Sequence, residues 1–296
     1  MVFARNAANP KTGFASFDAT CRANKENMTD QPEHADASED FLDSLPELEP
    51  GQSFCFACNE HVPCFNHCCS ALTMPLAPYD VLRLRRNMGM DSERFIKQFT
   101  TIQLYPDTGF PLPLLKMLAG PDELCPFVTP AGCAVYEDRS AACRSYPLGR
   151  GTKPGPDGTV SERFFVVRED HCHGFDKGQN WTAQTWLADQ ELEPYNRSND
   201  RYMLLMAKVK ASGEPISERM VTMCLLAFFQ LDRFKDFLLG MNVLDRLELS
   251  EERRQAILED EEARLDFALD WVELVLFGQA PGLQQKAEAP CSDIQK

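Results

Sequence analysis

Apolar positions recur at helical spacing through the second half of the chain and gather only in short runs before it. From about residue 181 the pattern predicts successive helices. Thr182 can cap one bearing Trp186 and Leu187, and Pro194 starts another through Tyr202 and Met206. Ser217 precedes a third, with Met220, Cys224 and Phe228 at i, i+4 and i+8. The last is the clearest. Ser250 caps it, Glu251 and Glu252 suit the positive end of its dipole, and Leu258, Leu265, Leu269, Val272 and Leu276 form a stripe ended by Gly278. Upstream, Pro78 opens a helix carrying Tyr79, Leu82 and Arg86, with Gly89 as its stop, and Asp91 caps a second with Phe95, Ile96 and Phe99. Short strands are expected at 101–105, 114–118, 134–136 and 163–168, and a Pro/Gly turn at 153–158.

These elements imply an α+β fold with an irregular cysteine-rich core, short strands and a mainly helical C-terminal half. Four regions follow: a flexible acidic lead-in over 1–50, a cysteine-cluster metal-binding domain over 51–180, a helical region over 181–278, and a disordered tail over 279–296. The stretch from Glu33 to Pro50 has seven carboxylates and no Lys or Arg. It cannot bury enough apolar surface to offset its ordering entropy. Phe41, Leu42 and Leu45 offer a short docking helix as the alternative.

Charge narrows the choice of partners. The chain has 296 residues, a formal net charge of −15 and a pI near 4.8. Such a surface repels phosphate backbones, and the densest basic stretch, Arg83, Arg85 and Arg86, is explained by a solvated helix face, so no nucleic-acid partner is expected. The longest apolar run, Met223 to Phe229, suits a buried helix and is too short for a bilayer. Residues 1–13 have no apolar signal region. The expectation is a soluble cytoplasmic protein with no membrane partner and reduced thiols.

Twelve cysteines then need an explanation, and nine of them lie between Cys55 and Cys172. The first group is Cys55, Cys58, Cys64, Cys68 and Cys69. The second is Cys125, Cys133 and Cys143, and Cys172 stands last. In a reducing compartment such crowding reads as metal ligation, because thiolates two to five residues apart converge on one ion and longer gaps bring the remaining ligands. The neighbours Cys68 and Cys69 cannot both take ideal tetrahedral corners of one ion, so each suits a different site. Gly132 allows a tight turn before Cys133, and Pro126 and Pro63 fix the backbone beside Cys125 and Cys64. The competing reading is buried, inert thiols, which suits Cys224 on its apolar stripe and extends to Cys21 and Cys291. His67 and His171 are either ligands or solvated neighbours. Arg139 and Arg144 either face thiolate or sulfide charge or pair with Glu137 or Asp138.

The combined motif resembles a known family. Cys68-Cys69, Cys125-Pro126-Phe127, Gly132-Cys133 followed by Val135 to Arg139, Cys143-Arg144 with Tyr146-Pro147, and Cys172 with Gly174 resemble the YkgJ-type CxxCxxCC proteins. These are zinc- or iron-chelating domains with eight characteristic cysteines. The resemblance covers Cys55 to Gly174, and the helical remainder is similar to a longer bacterial branch. Carried over by position, it implies Cys58, Cys64, Cys68, Cys69, Cys125, Cys133, Cys143 and Cys172 as ligands. The sequence departs in an extra Cys55, a possible substitute, and in three residues rather than two between Cys64 and Cys68.

Two functions are compatible with these residues. One is a binding or electron-transfer protein that holds an iron–sulfur cluster or zinc and meets a protein or redox partner. Thiolate-only ligation with Cys-Pro punctuation favours iron–sulfur. The other is an iron–sulfur-dependent enzyme resembling flagellin lysine methylase, which uses S-adenosylmethionine. No CxxxCxxC, Gly-rich cofactor loop, GxSxG or HExxH occurs in the sequence. Glu137, Asp138 and His173 are the nearest acid/base candidates, with solvated side chains as the simpler reading.

Overall fold

The computed structural model describes residues 46–155 and 158–286. Most of the acidic lead-in, its candidate docking residues, Cys21, Cys291, residues 156–157 of the turn and residues 287–296 lie outside the described residues. Strand β1 is Ser53–Phe56, helix α1 is Pro78–Asn87 and α2 is Ser92–Phe99. Then come β2 (Thr100–Leu104), β3 (Pro111–Leu115), β4 (Val128–Thr129), β5 (Gly132–Cys133), α3 (Ala141–Ser145), β6 (Leu148–Pro154), β7 (Val160–Val166) and β8 (Gln179–Thr182). The helical half holds α4 (Ala183–Asp189), α5 (Glu193–Ser212), α6 (Glu218–Cys224), α7 (Leu231–Gly240), α8 (Glu251–Glu259) and α9 (Glu261–Phe277). The strands form four antiparallel pairs, β1 with β8, β2 with β3, β4 with β5 and β6 with β7. Strand pairs beside a helical half make this an α+β fold.

The caps read from the sequence form. Asp91 accepts from the Arg94 N–H at 2.8 Å, the Thr182 hydroxyl from Thr185 at 3.2 Å, and Ser250 from Arg253 at 3.2 Å. Each satisfies an N–H that the helix itself leaves unpaired. The buried face of α1 and the Phe95 and Phe99 rings of α2 join one core with α5 to α9. Tyr79 meets Tyr195 edge-on at 4.9 Å, Tyr202 meets Phe228 at 5.4 Å, and Phe234 meets Trp271 at 5.4 Å. Full burial of each such ring stabilises the fold by ~1.5–3 kcal/mol. The helical insert thus anchors the cysteine region to the C-terminal helices. A smaller cluster of Leu48, Phe54, Phe56, Leu148, Ala183 and Trp186 lies around β1 and α4.

Strands β1, β6 and β8 add to the expected elements, and four expected features differ. The long last helix is two, because Arg264, buried in α9, donates to the carbonyls of Ile257 at 2.8 Å and Leu258 at 2.6 Å. It terminates α8 from the side, and Asp260 then caps α9 by accepting from Glu262 at 3.0 Å. Residues 134–136 are not a strand; the backbone turns instead into a 3-10 segment at Tyr136–Asp138. After α6 the helix widens into a π segment over Leu225–Phe229. Residues 279–286 are packed, with Ala280 and Leu283 buried and the Glu248 N–H bonded to the Gln284 carbonyl at 2.9 Å. Among the described residues no helix is long and apolar enough to cross a membrane.

Candidate metal centre

A chain of small turns builds the first cysteine loop. After β1 the Asn59 side chain accepts from the His61 N–H at 3.0 Å, and its carbonyl accepts from Val62 at 3.1 Å. Phe65 then bonds back to Val62 at 2.9 Å, His67 to Cys64 at 2.9 Å, and Cys69 to Asn66 at 3.0 Å. Asn66 takes the left-handed conformation, at φ 70°, to enter the 3-10 turn His67–Cys69. Successive reversals of this kind bring Cys64, Cys68 and Cys69 together without a long helix or strand.

The second block is tied onto the first. The Cys125 N–H donates to the Cys69 carbonyl at 2.7 Å, and Ala71 to Glu123 at 2.9 Å. The β4–β5 hairpin then places Cys133 opposite Val128. Its Gly132 has φ 118°, a conformation that favours glycine, and a Cβ there would lie 3.2 Å from the Phe65 ring, which would have to give by a few tenths of an ångström. Cys143 lies on α3. Asp80, buried in α1, sets that helix by accepting from the Ala141 N–H at 2.7 Å and from its own cap residue Ala77 at 2.9 Å. Burial pushes the Asp80 carboxyl up to about 6, against the pull of those two N–H groups and Arg144. Cys172 arrives last. The backbone N–H of His173 donates to the Cys64 sulfur at 3.1 Å, and the Ala57 N–H to the Gly174 carbonyl at 2.9 Å.

Cys58, Cys64, Cys68, Cys69, Cys125, Cys133, Cys143 and Cys172 all line one cavity of about 650 Å³. Cys58 is exposed at its rim and the other seven are half-buried. All ten described cysteines are thiols. Cys64 and Cys172 are in hydrogen-bond contact. Burial raises the Cys172 pKa, the Tyr146 hydroxyl and the Gly174 N–H oppose that rise, and Cys64 adds to it. Cys55 does not line the cavity. It alternates with Phe54 and Phe56, which are buried, so it projects from the other face of β1. Cys224 is fully buried in the helical core, where burial raises its thiol to about 12.

The remaining candidates separate clearly. Arg139 lines the cavity and lies in the field of Cys133 and Cys143. Burial lowers its pKa, with Arg144 adding to that effect and Tyr136 and the two thiols opposing it. Arg144 does not line the cavity; it donates to the carbonyls of Gln190, at 2.7 Å, and of Glu137. Neither arginine pairs with Asp138, which bonds instead to Arg83 at 2.7 Å and Asn87 at 2.8 Å and is held below the usual carboxylate range. His171 borders the cavity and pairs with Glu169 at 3.3 Å, whereas exposed His67 faces an outer groove. That groove, about 790 Å³, shares Asn66, Cys68, Leu72 and His171 with the cavity. Exposed His173 pairs with Asp176 at 3.2 Å.

Sequence reasoning missed Tyr146, Trp181, Trp186 and Gln190, which also line the cavity. The Trp181 indole donates to the Phe56 carbonyl at 3.0 Å and that of Trp186 to the Ser145 carbonyl at 2.7 Å, fixing both rings. Tyr146 stood in the motif after Cys143, whereas Trp181, Trp186 and Gln190 lie beyond the last clustered cysteine and gave no local signal.

Among the described residues, no three His, Cys, Asp or Glu side chains are gathered as for a single bound ion. A tetrahedral zinc site holds its sulfurs about 3.8 Å apart, from the ~2.3 Å metal–sulfur bond. A cluster of several iron ions and sulfides spans a wider ring of thiols. A lining with eight thiols beside one histidine, His171, and one carboxylate, Asp189, fits a thiolate-bound metal group.

Residues 57–173 match the model of one protein family, CxxCxxCC, described as "Putative zinc- or iron-chelating domain". No curated protein and no solved structure matches the chain.

Proposed function

We propose that the cavity holds an iron–sulfur cluster and that the protein is a metal-binding protein serving electron transfer, a reading supported by the match of residues 57–173 to the model of a zinc- or iron-chelating domain. Cys58, Cys64, Cys68, Cys69, Cys125, Cys133, Cys143 and Cys172 are the donors of this reading, enough for one four-cysteine cluster and a second four-coordinate metal site, with Cys68 and Cys69 assigned to different sites. The observation that carries it is the convergence of these eight thiols on a single cavity. Thiolate-rich ligation with Cys-Pro punctuation favours a sulfide-bridged iron group. A bound cluster would supply one-electron redox chemistry. The chain's own part is to gather the thiolates, to wall them with Phe56, Tyr146, Trp181 and Trp186, and to leave an opening at Cys68.

The test is anaerobic purification with iron, sulfide and zinc analysis. Iron with matching sulfide supports the reading, and zinc alone overturns it. One observation favours an enzyme resembling flagellin lysine methylase: the outer groove reaches Cys68, so a second molecule has access to the centre. A change in the electron paramagnetic resonance spectrum of the reduced protein on adding S-adenosylmethionine would support catalysis. An unchanged spectrum leaves electron transfer.

A further inference from the structure

We propose that Arg139 is a positioning residue of the metal centre, whose guanidinium compensates thiolate charge at Cys133 and Cys143 and thereby sets metal retention and reduction potential. The proposal rests on the metal-centre reading and assigns a role within it.

Four observations carry it. Arg139 is the one Lys or Arg among the described residues lining the cavity, and the one lining carboxylate, Asp189, is turned to the Gln190 amide at 2.8 Å. The guanidinium is held in place, 3.8 Å above the Tyr136 ring and bonded to the Tyr136 carbonyl and the Gln190 side-chain oxygen. These contacts use two of its N–H groups, and a guanidinium has five. Arg144, five residues on, does not line the cavity and is engaged by the carbonyls of Gln190 and Glu137 and by Glu191 at 3.8 Å.

The physical need is plain. Four thiolates around a divalent ion carry a net charge of about −2, and a half-buried site solvates that charge poorly. A fixed cation with spare donors offsets it and strengthens the sulfur acceptors' hydrogen bonds. Removing the cation favours the more oxidised, less negative state of a redox-active group, so the potential falls.

The test uses the full metal-loaded chain with Arg139→Gln, Arg139→Lys and Arg163→Gln. Arg163, on β7 and paired with Glu47 at 2.7 Å, loses the same charge away from the cavity. Metal release to excess chelator is followed for each, with the reduction potential of the iron-loaded form. Release from Arg139→Gln should quicken by about 10- to 100-fold, the cost of losing a partner of a metal ligand. Its potential should drop, Arg139→Lys should recover most of both, and Arg163→Gln should match wild type. Should Arg139→Gln not fold, Gln190→Ala, which removes one anchor of the guanidinium, should still speed release. Unchanged release and potential in folded Arg139→Gln, or equal changes in Arg163→Gln, overturn the proposal alone. A wild-type chain that takes up neither iron nor zinc overturns the metal reading and this role with it.

Discussion

At the scale of single residues, the centre depends on positions that leave no room for a larger side chain. A Cβ on Gly174 would lie 2.5 Å from the Phe56 ring and 2.8 Å from the Ala57 carbonyl. Gly174→Ala must therefore push Cys172 and β1 apart. It should lower stability by about 1–3 kcal/mol, read by denaturant unfolding, and lower the metal content. The cysteines divide in the same way. Cys68→Ser should lose metal, and Cys55→Ser, which changes a thiol on the other face of β1, should keep its full metal stoichiometry. Equal metal content in the two variants would contradict the ligand assignment. Crowding of cysteines marked the region in the sequence, and the family resemblance implied the eight that line the cavity, with Cys55 as a substitute. Where Cys55 points was not legible, since it depends on β1 pairing with β8 and on which face of that pair meets the cavity.

At the scale of elements, Asp80 joins two helix starts with one carboxylate, capping α1 and holding the N-terminus of the Cys143 helix. Asp80→Asn turns one acceptor into a donor against an N–H and should cost about 1–3 kcal/mol at pH 7. The pH dependence has a definite sign. The folded pKa of about 6 lies above the unfolded value near 3.8, so between them the folded state holds a proton that the unfolded state lacks. Wild type should therefore gain about 1 kcal/mol relative to Asp80→Asn as pH falls from 7 to 5, read by parallel unfolding curves. Capped helices were legible because Asp91, Thr182, Ser217 and Ser250 sit at the right offset from apolar stripes. What escaped was set by distant partners. β1 and β8 are remote in sequence, β6 is broken in pattern by Gly149, Gly151 and Pro154, and the division of α8 from α9 is made by the buried Arg264.

At the scale of the molecule, the aromatic core of α1, α2 and α5 to α9 is carried by helices, with Cys125, Cys133 and Cys143 packed against its edge, whereas the cysteine loops are short turns and two-residue strands. Metal removal under reducing conditions should raise amide hydrogen exchange in residues 57–73, 123–145 and 168–175 and leave α5 and α9 protected. Uniform loosening would contradict this division. The central claim is tested most directly by the absorption spectrum of anaerobically purified wild-type protein, read together with its metal content. The account predicts broad absorbance near ~400 nm from thiolate- and sulfide-to-iron charge transfer, with iron and sulfide in similar amounts. A colourless protein carrying zinc alone, or no metal with every cavity thiol titratable, would contradict it.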